Sequence, residues 1–228
     1  WLGAGNTPEE VPDILAKLQS DRANRAADAL ADLLARHAGE ICALILEPRV
    51  QCAGGMRMHD PQYLRRAREL CDTHGVFLIA DEIAVGFGRT GTMFACEQSG
   101  VQPDLLCLSK GLTGGFLPLA AVLATQRIYD AFLDDSRERA FLHSHSYTGN
   151  ALACRAALET LGIFRDEPVL KRNRLLAARL SERLAGLVDH PNVADVRQSG
   201  MIAAVELVRD KTTRAVFCAD ERRGLRVY

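Results

Sequence analysis

Short apolar runs alternate with longer stretches in which apolar residues recur every three or four positions, and this alternation predicts strands with covering helices. The first run, Ile41-Cys42-Ala43-Leu44-Ile45-Leu46, follows a helical stretch over residues 22–37 in which Ala26, Leu30, Leu33 and Leu34 share a face. Asp60-Pro61 then places a cap and a first-turn proline ahead of Leu64, Ala67, Leu70 and Cys71, and His74-Gly75 supplies a left-handed stop. The next run, Val76-Phe77-Leu78-Ile79-Ala80, is continuously apolar and ends on Asp81-Glu82. Such a run predicts a strand covered on both faces. A third, Leu105-Leu106-Cys107-Leu108, ends on Ser109-Lys110-Gly111, and a fourth, Leu119-Ala120-Ala121-Val122-Leu123, follows soon after. Helical periodicity returns over residues 150–164 and 169–187, where Leu170, Leu175, Leu176, Leu180 and Leu184 form a stripe expected to be buried. Residues 201–208 read as a further strand.

The predicted fold class is α/β, a mostly parallel sheet with helices on both faces. Residues 1–191 are expected to form one large domain, incomplete at its start, and residues 192–228 the beginning of a second, smaller α/β unit. The chain opens on Trp1 and stops at Tyr228 without a cap or polar tail, so it reads as an internal piece of a longer polypeptide. Polar residues sit just beyond three of the strands, at what would be one edge of the sheet. In open α/β sheets, ligands bind in the crevice at the carboxyl ends of strands.

Composition narrows the partners. The 228 residues are 48% apolar, enough for a sizeable core, and 28 Lys and Arg stand against 29 Asp and Glu, giving a formal net charge of -1. That balance offers no field to gather nucleic acid or anionic lipid. The longest apolar run, over residues 118–124, is far too short to cross a bilayer, and no signal peptide is evident at the start. Seven scattered cysteines form no C-x-x-C pair and read as reduced, mostly buried thiols of a cytoplasmic protein. His143 has no carboxylate or cysteine at ligand spacing; it reads as structural, and no metal site is expected.

Residues 81–91 contain a literal G-x-G-x-x-G at Gly86, Gly88 and Gly91, which invites a dinucleotide reading and a nicotinamide oxidoreductase. The fingerprint belongs immediately after a strand, whereas five residues separate Ala80 from Gly86. That reading is therefore set aside. A better fit is the pair Asp81 and Lys110, each at the end of its own apolar strand. Pyridoxal phosphate needs a lysine to hold it as an imine and a carboxylate to keep its ring nitrogen protonated. Taken singly, each has a plainer reading: a solvated loop lysine, and an acidic turn or helix cap.

Glu47-Pro48, Ala80-Asp81-Glu82-Ile83 with Gly86-Phe87-Gly88-Arg89-Thr90-Gly91, then Pro103-Asp104 and Ser109-Lys110-Gly111, resemble in order and spacing the signature of class III pyridoxal-phosphate aminotransferases. The match is strong over residues 42–164 and weaker to residue 228. The resemblance implies a fold-type I large domain and a pyridoxal 5'-phosphate cofactor. It makes Lys110 the imine-forming residue and proton carrier, Asp81 the partner of the ring nitrogen, and Ile83 a residue packed on the ring. Glu47 becomes an acidic residue near the ring, with anchoring of a loop as its alternative, and Arg89 a supporting arginine on the substrate side. Ser144, His145 and Ser146 align with a loop that crosses to the partner subunit, touching substrate and cofactor phosphate. Relatives often have Gly-Pro-Thr there, so Ser144 and His145 depart from the pattern, and His145 has a structural reading as well. A homodimer with shared sites follows from the same resemblance. Residues 51–58, 108–115 and 143–154 most resemble the members of the class that serve biotin synthesis with S-adenosylmethionine as amino donor. Two alternatives stand beside that expectation: another class III enzyme, acting on ω-amino acids or diamines, and a non-catalytic association piece of the same fold.

Overall fold

The computed structural model describes residues 11–221; the two chain ends, and with them the expectations built on Trp1 and Tyr228, lie outside the described residues. Helix α1 (Val11–Arg36) precedes strand β1 (Ala43–Leu46), the short antiparallel pair β2 (Val50–Gln51) and β3 (Arg57–Met58), helix α2 (Pro61–His74) and strand β4 (Phe77–Asp81). Strands β5 (Leu105–Leu108) and β6 (Ala121–Ala124) follow, then helices α3 (Gln126–Asp130), α4 (Ala151–Asp166) and α5 (Val169–Ala185). A hairpin of β7 (Val193–Ser199) and β8 (Ile202–Leu207) comes last among the strands.

The main sheet has the order β1-β4-β5-β6, with β1, β4 and β5 parallel and β6 antiparallel to β5. The α/β fold class is as predicted. The reversal of β6 has a simple cause: between Leu108 and Ala121 the chain makes only the 3-10 turn Lys110–Thr113. A parallel return needs a full crossover, usually a helix.

Helix α2 forms where the sequence predicts it. Asp60 accepts from Gln62 N–H at 2.8 Å, Pro61 occupies the first turn, and Gly75 closes the helix in the left-handed conformation at φ +68°. Its Leu64, Ala67 and Cys71 pack with Leu30 and Leu34 of α1 against Leu78 and Ala80 of β4. The phase of α1 differs from expectation, because Ala23, Ala27, Leu30 and Leu34 are the buried stripe and Leu33 is 41% exposed. Packing of Leu30 and Leu34 on α2 and β4 sets that stripe, and Ala26 lies off it.

The described residues bury one face of the sheet at its centre, around Leu78 and Ala80, although Leu123 of β6 on the same face is 55% exposed. Burial alternates along β4, with Leu78 and Ala80 covered and Phe77, Ile79 and Asp81 half-buried, and Ile45 of β1, on that second face, is 61% exposed. The continuous apolar run thus does not report two covered faces here. Helix α5 departs likewise: none of its described residues is buried, and Leu175 and Leu176 of the predicted stripe are exposed. Two of the seven cysteines, Cys71 and Cys96, are buried, so the thiols are free but not mostly buried.

Asp104, which precedes β5, clips the sheet to α2. Its Oδ2 accepts from Leu78 N–H and from Arg68 Nη1, each at 2.7 Å. Burial alone pushes this carboxyl up, but the Leu78 N–H and the Arg68 guanidinium outweigh it and hold the group below its ordinary value. The stability it contributes is therefore present at neutral pH and lost as pH falls through the depressed value. Asp104→Asn is expected to cost about 2 kcal/mol at pH 7. Denaturant titrations should show the gap to the unsubstituted protein narrowing below about pH 4; a gap independent of pH would refute the account.

Candidate active site

Parallel pairing brings three strand ends abreast. Leu46 of β1 pairs with Ala80 of β4, and Asp81 of β4 pairs with Cys107 of β5, so Glu47, one residue on, aligns with Asp81. Lys110 lies three residues beyond Cys107 on the neighbouring strand. Asp81 shares the half-open face with Phe77 and Ile79 through the two-residue strand period. Its Oδ1 accepts from Ile83 N–H at 3.0 Å, which fixes the carboxylate and starts the turn out of the strand.

Lys110 is exposed and holds φ +45°, a left-handed conformation unusual for a side-chain-bearing residue. The surroundings enforce it. Leu112 N–H donates to Ser109 O at 3.0 Å, Gly115 N–H to Lys110 O at 3.2 Å, and Ser109 Oγ to Leu119 O at 2.7 Å. The adjoining Gly111 has no space for a side chain, since a Cβ there would lie 2.9 Å from Phe87 Cβ. That close approach seats the lysine turn directly on the glycine-rich segment.

Glu47 is partly committed: its Oε2 accepts from Cys52 N–H at 3.0 Å. It therefore anchors the loop into β2 and β3, the alternative role the sequence allowed, while standing in line with Asp81. Burial pushes the Cys52 thiol up, the Glu47 carboxylate adds to this, and the positive charges of Arg89 and Lys110 pull the other way. Glu47, Cys52, Arg89 and Lys110 thus share one electrostatic neighbourhood. Cys52 escaped the sequence reading as a site residue; its only signal was a position five residues after Glu47.

Glu82, beside Asp81, has a different place. It is fully buried, and its two carboxylate oxygens accept from Ala95 and Cys96 N–H, each at 2.8 Å, at the start of the 3-10 helix Ala95–Ser99. Burial pushes its carboxyl up, and the two N–H bonds oppose that. Glu82 is an internal brace.

The glycine-rich segment is not a phosphate cradle. Gly86 N–H donates to Glu82 O at 2.9 Å, Gly88 N–H to Met93 O at 3.2 Å and Gly91 N–H to Gly88 O at 3.1 Å. Amides spent on internal carbonyls cannot also receive a pyrophosphate. The glycines serve packing: a Cβ at Gly88, which holds φ +82°, would lie 2.9 Å from the Leu170 side chain.

Ser144, His145 and Ser146 are exposed, and the described contacts of this segment are local: His145 N–H donates to Thr148 Oγ1 at 3.0 Å, and its Nδ1 accepts from Tyr147 N–H at 3.1 Å. Glu47 and Asp81 stand in line at the strand ends, Ile83 is bonded to Asp81, and Arg89 and Lys110 both act on Cys52 beside Glu47. His143 is exposed beside the Phe141 ring, with centroids 5.6 Å apart. Among the described residues no group of three or more His, Cys, Asp or Glu is placed to hold a metal ion. A cavity of about 560 Å³ lined by Arg49, Tyr63 and Arg197 contains neither Asp81 nor Lys110.

The sequence profile of the family described as aminotransferase class-III matches residues 6–228. This chain belongs to that family. It is 53% identical to the adenosylmethionine-8-amino-7-oxononanoate aminotransferase of Nitratidesulfovibrio vulgaris over 86% of this chain and 36% of that protein. The enzyme of the same name from Geobacter sulfurreducens is 52% identical, over 86% of this chain and 43% of that protein. Among solved structures, the Methanocaldococcus jannaschii enzyme of that name superposes with a TM-score of 0.84 at 39% identity, covering 88% of this chain and 47% of that one. An amine transaminase from an uncultivated Pseudomonas species, in its PLP-bound form, gives a TM-score of 0.83 at 39% identity, covering 90% and 47%. This class III aminotransferase chain therefore spans between 36% and 47% of the length of these relatives.

Proposed function

We propose that the complete protein containing this chain is a pyridoxal-phosphate-dependent transaminase that converts 8-amino-7-oxononanoate to 7,8-diaminononanoate in biotin synthesis, with S-adenosylmethionine as amino donor. The observation that carries this reading is the juxtaposition of Asp81, at the carboxyl end of β4, and Lys110, two residues beyond the carboxyl end of the adjacent parallel strand β5. The names of the relatives supply the substrate pair.

The residues present fit the cofactor. Asp81 offers a carboxylate already oriented by Ile83 N–H, and Lys110 is an exposed amine on a rigid turn. When bound, pyridoxal phosphate supplies the electron sink that lets a carbon bearing an amine lose its proton. Asp81 would hold the proton on the ring nitrogen. Lys110 Nζ would hold the cofactor covalently and, once released, move the proton between substrate carbon and cofactor. Ile83 would pack against the ring and exclude water from one side. Glu47, in line with Asp81, would keep the loop bearing Cys52 close to the ring, and the Arg89 guanidinium would face the substrate side.

The division into a large domain over residues 1–191 and a small one from residue 192 belongs to the same reading, as do a cytoplasmic location and a homodimer. Free cysteines suit a reducing compartment. The exposure of Ser144, His145 and Ser146, with Phe141 at 67% and Leu142 at 85% exposed, suits a loop that meets a partner subunit's site. No helix among the described residues is long and apolar enough to cross a membrane.

The test is to purify the complete protein with pyridoxal phosphate and assay diaminononanoate formation with S-adenosylmethionine. Turnover at a rate above that with ω-amino acids or diamines is expected. The reverse order would assign the chain to another branch of class III, and a protein that captures no cofactor would leave the association role.

A further inference from the structure

The turn between β7 and β8 is seated in the glycine-rich segment. A Cβ at Gly200 would lie 2.5 Å from Thr90 C, 2.7 Å from Arg89 O and 2.8 Å from Gly91 N, all backbone atoms. Gly200 also holds φ +57°, so a side chain there meets strain and collision together. Immediately after it, Met201 N–H donates to Arg89 O at 2.8 Å. The turn itself is braced from behind, since Gln198 Nε2 donates to Gly200 O at 2.9 Å and to Ala177 O of α5 at 2.8 Å. The same hairpin grips the loop between β2 and β3, where Arg197 donates to Met56 O at 3.2 Å and to Gly55 O at 3.1 Å.

We propose that the β7–β8 turn, through Gly200 and Met201, is a positioning element that fixes Arg89 at the edge of the Lys110 site. The substrate-side role of Arg89 rests on the function proposed above; the seating of Gly200 does not. Arg89 is exposed at its side chain and pinned at its backbone, the combination needed to present a cation in one place without burying it. Backbone atoms 2.5–2.8 Å from the missing Cβ cannot swing aside as the tip of a side chain would. Any residue larger than glycine must therefore lift the turn, which breaks the Met201 bond and frees Arg89.

The test uses Gly200→Ala, Arg89→Ala and the double variant in the complete holoenzyme, together with the milder Gln198→Ala, which removes the brace and the bond that Gln198 Oε1 accepts from Ser181 Oγ at 2.6 Å. Gly200→Ala and Arg89→Ala are each expected to raise KM for the keto acceptor about tenfold with a smaller effect on kcat, the scale of one charge-assisted hydrogen bond, and Gln198→Ala to raise it less. The double variant should be no worse than Arg89→Ala alone, because Gly200 acts through Arg89. Apoprotein supplies a second readout: trypsin should cut after Arg89 faster in Gly200→Ala and Gln198→Ala than in the unsubstituted protein, whose pinned backbone must first open. Additive effects in the double variant, or unchanged cutting after Arg89, would overturn the proposal. Faster cutting combined with normal kinetics in Arg89→Ala would uphold the seating and remove Arg89 from the proposed substrate side instead.

Discussion

Lys110→Ala in the complete protein should remove the visible absorption of lysine-bound cofactor and reduce turnover by about a thousandfold or more. On the proposed function the lysine has two tasks, holding the cofactor and transferring a proton, and general acid–base transfer alone is worth about 10²–10⁴ in rate. No neighbour can substitute. The remaining lysines are Lys17 in α1, Lys171 in α5 and Lys211, whose Nζ donates to Val188 O beyond β8. The fold should survive, since the Lys110 side chain is exposed and its turn is held by backbone bonds and by Ser109. Thermal unfolding within about 1 kcal/mol of the unsubstituted protein is expected beside the lost band. A variant that kept both band and turnover would show that another residue holds the cofactor.

How much of this could be read beforehand depends on which residues carry local signals. The Asp60-Pro61 opening and the His74-Gly75 close of α2 act within one turn of chain, and the structure reproduces both. Strand β5 falls on Leu105–Leu108 as its short apolar run implies. Strand β7 was missed because its sequence, Val-Ala-Asp-Val-Arg-Gln-Ser, interleaves Asp195 and Arg197, which pair with each other and, from Arg197, with Glu206 on the opposite strand. The covering of a sheet face is likewise not a local property. Ile79 and Ile45 have the composition of covered positions, yet what lies over them depends on chain far from either.

The site shows the same division. The placement of Asp81 and Lys110 near each other was legible because each follows an apolar run, and parallel pairing then brings the two strand ends abreast. The different fates of Asp81 and Glu82 were not legible, since adjacent residues on a strand point to opposite faces and the sequence does not say which face is the core. Gly200 was silent too. Its reason for being glycine is a backbone more than a hundred residues earlier in the chain, at Arg89 to Gly91.

Asp81→Asn should fold normally, retain some cofactor and slow each half-reaction by about a hundredfold or more, the scale on which one electrostatic group aimed at a reacting centre acts. The exchange is nearly isosteric, and the amide oxygen can still accept from Ile83 N–H, so the turn out of β4 persists. What disappears is the charge. A neutral amide cannot hold the proton on a pyridine nitrogen, so the electron sink weakens at the moment the substrate carbon loses its proton. Glu82 cannot take over, because both its oxygens are engaged by Ala95 and Cys96 N–H in the interior. Its own substitution should register in stability instead: Glu82→Ala strands two buried N–H groups at roughly 1–3 kcal/mol each. Stopped-flow half-reactions for Asp81→Asn beside denaturant unfolding for Glu82→Ala separate the two carboxylates. Half-reactions at the unsubstituted rate in Asp81→Asn would mean that the ring nitrogen has another partner. Glu47, aligned with Asp81 one residue beyond β1 and bonded to Cys52 N–H through Oε2, would then be the next carboxylate to replace.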